Sequence, residues 1–462
     1  MMSEADSIAL AVLEEFRKLP AKRKPAVRDN GLREWVPLSG IVVKGPSVLK
    51  CVALATGMKC LPASKLSQAN GVALHDWHAE VLTLRAFNRF ILDECRRLAQ
   101  DDAAESDFLR RRTKDELFSS STSQPSSWNR QPFAWRDGLT LHIKTPPPGT
   151  CPPPLPRLPP HPLRPPNPSL TAQTNPHHHP PLLGRGHFTH LGIVRRKPAR
   201  GDAPPTHSKS CSDKLALKQC ASLLASLAAL FVSPRGVYLT TLVLPESQYS
   251  ARACRRCFSA AADSGDGGDG GDGGSSNGEE GDRDGEKGSG GDGGGMGEGE
   301  GAGEGARRGR MAPVRGKMWE GSGYGFHPFR VEVTGREFEF SRRGIVGGGE
   351  GEEIKVAASN LAVAWTRDGE VEEGLIGGVM QGRKAFDLKG ASATSRRRMW
   401  AAAADVAALL GDEGISRELG NGTYDGVKEG KLLAARRRVK EEVRGQALKG
   451  WLRNVGDGSF SL

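Results

Sequence analysis

The chain has 462 residues, enough for one large domain or two to three ordinary ones, and its 37% hydrophobic content is low enough that part of the length is not expected to build core. The formal net charge of +11 conceals an acidic tract. Residues 263–304 hold 13 Asp or Glu against 2 Lys or Arg, a net of −11, so the remainder carries 11 + 11 = +22 and suits a polyanionic partner. RNA, DNA and acidic membrane surfaces all satisfy that charge, but no apolar stretch approaches the roughly 18 residues of a membrane span. The N-terminal run MMSEADSIALAVLEEF lacks the basic start and apolar run of a secretory signal. The 8 cysteines have no regular spacing, so they read as thiols or ligands of a cytosolic or nuclear protein rather than as disulfides.

In chain order, residues 3–18 have helical apolar spacing (Ile8, Val12, Leu13, Phe16), with Ser3 or Asp6 as cap. LSGIVVKG and SVLKCVALATG read as two strands of a hairpin or meander. A helix with a wide apolar face follows over about Asp76–Leu98, then a strand at LTLHI, residues 139–143. Residues 144–183 are proline-rich, and proline neither donates to a ladder nor continues a helix, so no regular structure is expected there. Beyond an Arg/Lys-rich loop ending in LGIVRRKPARGDAPP, a helix is expected to start at Ser210–Asp213 and run through SLLASLAAL to about Phe231. VYLTTLVLP reads as a strand and ESQYSARACRRCF as a helix. Residues 262–310 are Gly/Asp/Glu low complexity, expected to be a disordered insertion. Two strand-like runs, FRVEVTGREFEFS and LAVAWTR, precede two helical ones, RRMWAAAADVAALL and KEGKLLAARRRVKEEVRGQALKGWL. Alternating strands and helices indicate an α/β architecture without internal repeats.

GVALHDWHAEVLTLRAFNRF carries the chemistry. His78-Ala79-Glu80 at a helix start is the H-x-E half of a zinc deaminase site, in which the His binds metal and the Glu stays off it to move protons. A catalytic zinc needs three protein ligands and an open fourth position. HSKSCSDKLALKQC supplies Cys211. An ordinary capped helix explains a lone HAE triplet equally well, so the spacing alone leaves both readings open.

The flanks carry more. LATGMKC, GVALHDWHAEV and SKSCSDKLA, in this order, resemble the catalytic domain of eukaryotic RNA adenosine deaminases, and most of all its tRNA-specific branch. LGIVRRKPARGDAPP, SNLAVAW, QGRK and TYDGVKEGK…VKEEV…LKGW extend the similarity over one domain, residues 1–462, outside the two biased tracts. The resemblance implies a cytidine-deaminase-like core, a mixed sheet with helices on both faces, elaborated by a C-terminal α/β extension. It implies hydrolytic deamination of adenosine to inosine in tRNA, 3′ to the anticodon, with zinc hydroxide attacking C6 and Glu80 shuttling protons. His78 and Cys211 would bind Zn2+. The family's other cysteine lies in a PCGDA-type loop after a strand like LTLHI; here that strand enters TPPPGTCPPP, where Cys151 is the one cysteine, without the Gly-Asp and the helix that should follow. A retained intron over 144–183 would produce such a run. His177–His179 belong to it and are set aside as ligands, and Cys254 and Cys257 form a CxxC on an expected helix, read as structural.

The family also buries inositol hexakisphosphate, which demands a dense cationic shell. The matching positions are Lys59, Asp76, Arg85, Lys214, Tyr424, Lys428, Lys440 and Trp451, while His75 replaces an Asn and Leu217-Lys218 replace an Arg-Trp pair of editing relatives. Arg195, Arg196, Lys197 and Arg200 are expected to contact RNA phosphates. The expected partner is tRNA, with no membrane and no DNA; the oligomeric state stays open. No double-stranded-RNA module is expected before the first family-like strand near Leu38. Two rival readings remain: a non-catalytic RNA-binding chain lacking a zinc ligand, and a deaminase of free nucleosides.

Overall fold

The computed structural model describes residues 2–118, 129–147, 182–183, 190–197, 203–261, 309–347 and 354–462. Its centre is an eight-stranded mixed sheet. In chain order the strands are β1 (Leu38–Lys44), β2 (Leu49–Thr56), β3 (Thr140–Lys144), β4 (Leu239–Pro245), β5 (Arg330–Thr334), β6 (Ala362–Thr366), β7 (Glu372–Ile376) and β8 (Val379–Met380). They lie in the order β5-β4-β3-β1-β2-β6-β7-β8. The pairs β3–β4 and β4–β5 are parallel and the rest antiparallel. This is the mixed sheet expected of a cytidine-deaminase-like core.

Both faces are covered. Helix α1 (Glu4–Lys18) starts at Ser3, whose Oγ accepts from the Asp6 N–H at 3.0 Å, and buries Ile8, Val12, Leu13 and Phe16. With Val42, Cys51 and Leu54 these side chains form the core on one face of the sheet. Gly40 in β1 allows the close approach, since a Cβ there would lie 2.5 Å from Val12 Cγ1. Ile41, Val43 and Val52 point the opposite way, against α2 (Ala79–Gln100), which buries Leu84, Phe87, Phe90 and Ile91 on them. Helices α3 (Cys211–Ala221), α4 (Ala251–Phe258), α5 (Arg396–Leu410) and α6 (Ala434–Gln446) complete that main core.

Several expected elements differ. The helix beginning at Cys211 stops at Ala221 rather than Phe231, because Ser222 adopts φ 52° and the chain turns. The C-terminal helical run divides into Tyr424–Glu429, a single turn at Lys431–Leu433, and α6. The run at 329–341 contributes only Arg330–Thr334 to the sheet. Strands β7 and β8 have no counterpart in the sequence reading, since Gly-rich EEGLIGGVM shows no clean alternation. Among the described residues no helix is long and apolar enough to cross a membrane. The proline-rich stretch lies outside the described residues apart from 144–147 and 182–183, and the low-complexity tract apart from Gly309 and Arg310.

Candidate metal and anion site

Two helix N-termini define the site. His78 is the residue immediately before α2, in extended conformation, and Cys211 is the first residue of α3. The α2 start is fixed by Gly57, whose carbonyl accepts from Ala79 N–H at 2.8 Å. Gly57 has φ 139°, and a Cβ there would meet the Trp77 carbonyl oxygen at 2.2 Å, so glycine is required for the loop to close. The α3 start is capped by Ser210, whose Oγ accepts from Asp213 N–H at 3.1 Å. Asp213 is in turn buried against Arg310 and accepts from Arg195 N–H at 2.7 Å.

Asp76 joins the two helices. One carboxylate oxygen accepts the His78 backbone N–H at 3.0 Å and lies 2.9 Å from His78 Nδ1. The other accepts from Lys197 Nζ at 3.2 Å and from Lys214 Nζ. Lys197 Nζ also donates to Cys211 Sγ at 3.1 Å. Burial alone would raise the Asp76 carboxyl, but Lys197 and Lys214 outweigh it and hold the group well below the usual range. Lys197 is held charged in the same way: desolvation opposes, and the fields of Asp76, Cys211, Cys60 and Glu80 prevail. Burial first, and then Glu80, push the Cys211 thiol well up, so a bound cation is what would favour its thiolate.

Cys60, unassigned in the sequence reading, lies here too. Its Sγ is 3.6 Å from His78 Nδ1, and with Asp76 and His78 it forms a group whose ligand atoms all lie within 4.8 Å of one another. Glu80, the second residue of α2, is buried. Cys60, Asp76 and His78 offer a thiol, a carboxylate and an imidazole, donors that zinc accepts, and Cys211 Sγ stands outside the group, linked to it through Lys197 Nζ.

Beside the metal group lies a cavity of about 410 Å³. It is lined by 10 Lys or Arg against 4 Asp or Glu. Arg85, Lys214, Lys428, Lys440 and Trp451, all expected from the sequence, line it together with Asp76. Tyr424 lines its continuation, with Lys218. Lys209 and Arg444 lie over the Trp451 ring at 5.4 and 4.9 Å from its centroid. Lys440 has no hydrogen-bond or ion-pair partner among the described residues. Desolvation, then Arg436 and Arg444, drive its ammonium well below the ordinary lysine range.

Some expected residues fall elsewhere. Lys59 lies apart from the cavity and bonds the Asn360 side chain. Lys197, expected on an RNA-facing surface, turns inward to Asp76 and Cys211, and Arg195 is buried, because the segment pairs with Lys209 and Ser210 beneath α3. Arg196 is partly buried. Cys151 and Arg200 lie outside the described residues. Cys60 in the metal group and Lys209, Arg396, Arg436 and Arg444 around the cavity were not expected from the sequence. For Arg436, Lys440 and Arg444 a signal existed: spacing of four puts three cations on one stripe of α6.

Residues 53–264 match the family model described as the adenosine-deaminase (editase) domain. The chain is 28% identical over 457 residues to tRNA-specific adenosine deaminase 1 of Schizosaccharomyces pombe, covering 97% of this chain and 95% of the relative. It is 30% identical over 255 residues to the protein of the same name in Saccharomyces cerevisiae, covering 52% of this chain and 58% of the relative. Over 108 residues, 20% of each chain, it is 33% identical to the Homo sapiens protein of that name.

Proposed function

We propose that this chain, which carries an adenosine-deaminase (editase) domain, hydrolytically deaminates adenosine to inosine in tRNA, at the position 3′ to the anticodon. The observation that carries the reading is the convergence of His78 and Glu80 at the start of α2 with Cys211 at the start of α3, through Asp76 and Lys197. His78 and Cys211 would hold the zinc on which the deaminase family depends. When bound, zinc lowers the pKa of a coordinated water and supplies a nucleophile at neutral pH. Glu80 would pass one proton of the attacking water to the ring nitrogen and then the second, from the hydroxyl left on C6, to the amine, which departs as ammonia as the C6 carbonyl forms. Lys197, donating to Cys211 Sγ, stabilises the thiolate. The target base leaves its stack to reach this buried group, which costs little in an anticodon loop.

The cationic cavity fits a compact polyphosphate, and inositol hexakisphosphate is the ligand we assign to it. Lys214 lines the cavity and also binds Asp76, so an anion there bears on the group that orients His78. The lysines and arginines around it come from α2, α3, α5, α6 and the C-terminal segment, and their mutual repulsion calls for a counter-charge.

The test is incubation of the purified, zinc-loaded chain with unmodified tRNA and sequencing for inosine. We expect inosine 3′ to the anticodon, lost on chelation and regained with zinc. Conversion of free adenosine with no product in tRNA would favour the nucleoside deaminase, and no conversion of either by a zinc-loaded chain would favour a non-catalytic RNA binder.

A further inference from the structure

We propose that Cys60 is a zinc ligand of this chain, sharing the ion with His78, and that Cys211, which Lys197 links to this pair through Asp76, turns its thiolate to the ion as the third ligand; the inference rests on the deaminase reading above. The proximity of Cys60 to His78 has the dimensions of a shared metal. Tetrahedral zinc with Zn–S of about 2.3 Å and Zn–N of about 2.0–2.1 Å sets its sulfur and nitrogen ligands roughly 3.5 Å apart. Cys60 Sγ and His78 Nδ1 are 3.6 Å apart.

Cys60 is also held as a ligand should be. It pairs with Asp76 across a short antiparallel bridge. The Leu61 N–H donates to the His75 carbonyl at 3.0 Å, and the Trp77 N–H to the Lys59 carbonyl at 3.0 Å. The Cys60 backbone is thus tied on both sides to the loop that ends at His78, which meets the need for placement on a rigid element. Asp76 is already committed: one oxygen receives Lys197 and Lys214, and the other keeps the His78 backbone N–H when Nδ1 turns to metal. It positions the ligands rather than joining them.

Other thiols do not compete. Cys51, Cys95, Cys220, Cys254 and Cys257 are buried in the hydrophobic clusters on the two sides of the sheet. Cys151 lies outside the described residues, in a stretch whose sequence lacks a rigid element to carry it. On binding, the Cys60 and Cys211 protons pass to solvent as the two Zn–S bonds form, and two thiolates balance the dication.

The experiment uses the full chain and the variants Cys60→Ser, Cys60→His and Cys151→Ser. Zinc per chain is measured by elemental analysis, and thiolate ligation by the charge-transfer absorption of the cobalt-substituted protein. Melting in chelator checks each fold without metal. We expect Cys151→Ser to match the parent. Cys60→Ser should lose on the order of 100-fold or more in zinc affinity, beyond the 10–100-fold typical of an outer partner, with an unchanged melt in chelator. Cys60→His should regain zinc with a weaker thiolate band. Parent-like zinc affinity and cobalt absorption in Cys60→Ser would overturn the assignment, as would their loss in Cys151→Ser alone. A Cys60→Ser chain that keeps zinc and still forms inosine sinks the ligand and leaves the function standing. A parent that binds zinc through Cys60 without forming inosine does the reverse.

Discussion

In the proposed reaction Glu80 is the residue on which the chemistry turns. It is buried two positions beyond His78 and lies in the field of the Lys197 ammonium. Glu80→Gln keeps the shape and removes the base. We expect inosine formation in tRNA to fall by about 10²–10⁴-fold while zinc per chain stays unchanged; full activity in the variant would remove Glu80 from the proton path. Lys209 offers a second test. Its ammonium, ordinarily at 10.5, is brought to about 7 by burial and then by Lys214 and Arg444. Above about pH 7 the folded chain without an anion has therefore lost a proton that the unfolded chain retains. An anion in the cavity favours the ammonium, so binding takes up protons above that pH and weakens as pH rises. Inositol hexasulfate, whose charge is fixed over this range, isolates the protein's share. Calorimetry at pH 8 in buffers of different ionisation enthalpy should show proton uptake, reduced in Lys209→Arg; none in the parent would disprove it. The helix starts that carry His78, Glu80 and Cys211 were legible because such starts announce themselves locally. The Lys197–Asp76 contact spans 121 residues and Arg85 reaches Thr394 across 309, so no local spacing could disclose them.

The difference between expectation and structure at α3 shows the same limit for elements. SLLASLAAL has strong helical propensity, yet the helix ends at Ala221. The carbonyls at and beyond its end are taken by side chains. Asn88 Nδ2 and Lys218 Nζ donate to Leu223, and Arg436 donates to Ala221 and Leu224. Asn88 Oδ1 also accepts from the Ala225 N–H. Tertiary hydrogen bonds outweigh propensity, and the turn they fix carries Ser226 and Leu227 to the cavity wall. Asn88, buried within α2, therefore ties α2 to the turn after α3. Asn88→Ala leaves the Ala225 N–H without its partner and opens a small void. The expected loss is about 2–3 kcal/mol in guanidinium unfolding. A loss below about 0.5 kcal/mol would show that water replaces the side chain at no cost and that the turn holds itself.

At the scale of the whole molecule, the ordered fold closes across its longest biased tract. The Gly309 N–H donates to the Ala261 carbonyl at 3.1 Å, and the Met311 N–H to Ser259 at 3.1 Å. Residues 262–308 thus leave and rejoin the domain at one point, just after α4, with Arg310 returning directly to Asp213 beneath the site. The composition of that tract marked it as an insertion, and apolar alternation marked β1, β2 and β4, but neither could reveal that its two ends touch. That contact makes a deletion specific. Replacing 262–308 by a three- or four-residue glycine–serine turn shortens the closed loop by more than three doublings, worth roughly 2 kcal/mol of closure entropy. Melting temperature should therefore hold or rise, and zinc content should not move. The charge effect runs in the same experiment. Residues 263–304 carry a net −11, and their removal leaves the basic remainder unopposed. Binding of tRNA should tighten at low salt, with the gain fading as ionic strength rises and the Debye length falls below about 10 Å. Filter binding across a salt series separates the outcomes. A melting temperature lowered by many degrees would mean that the tract contributes to the fold, and weaker tRNA binding at every salt concentration would mean that it contacts RNA despite its charge.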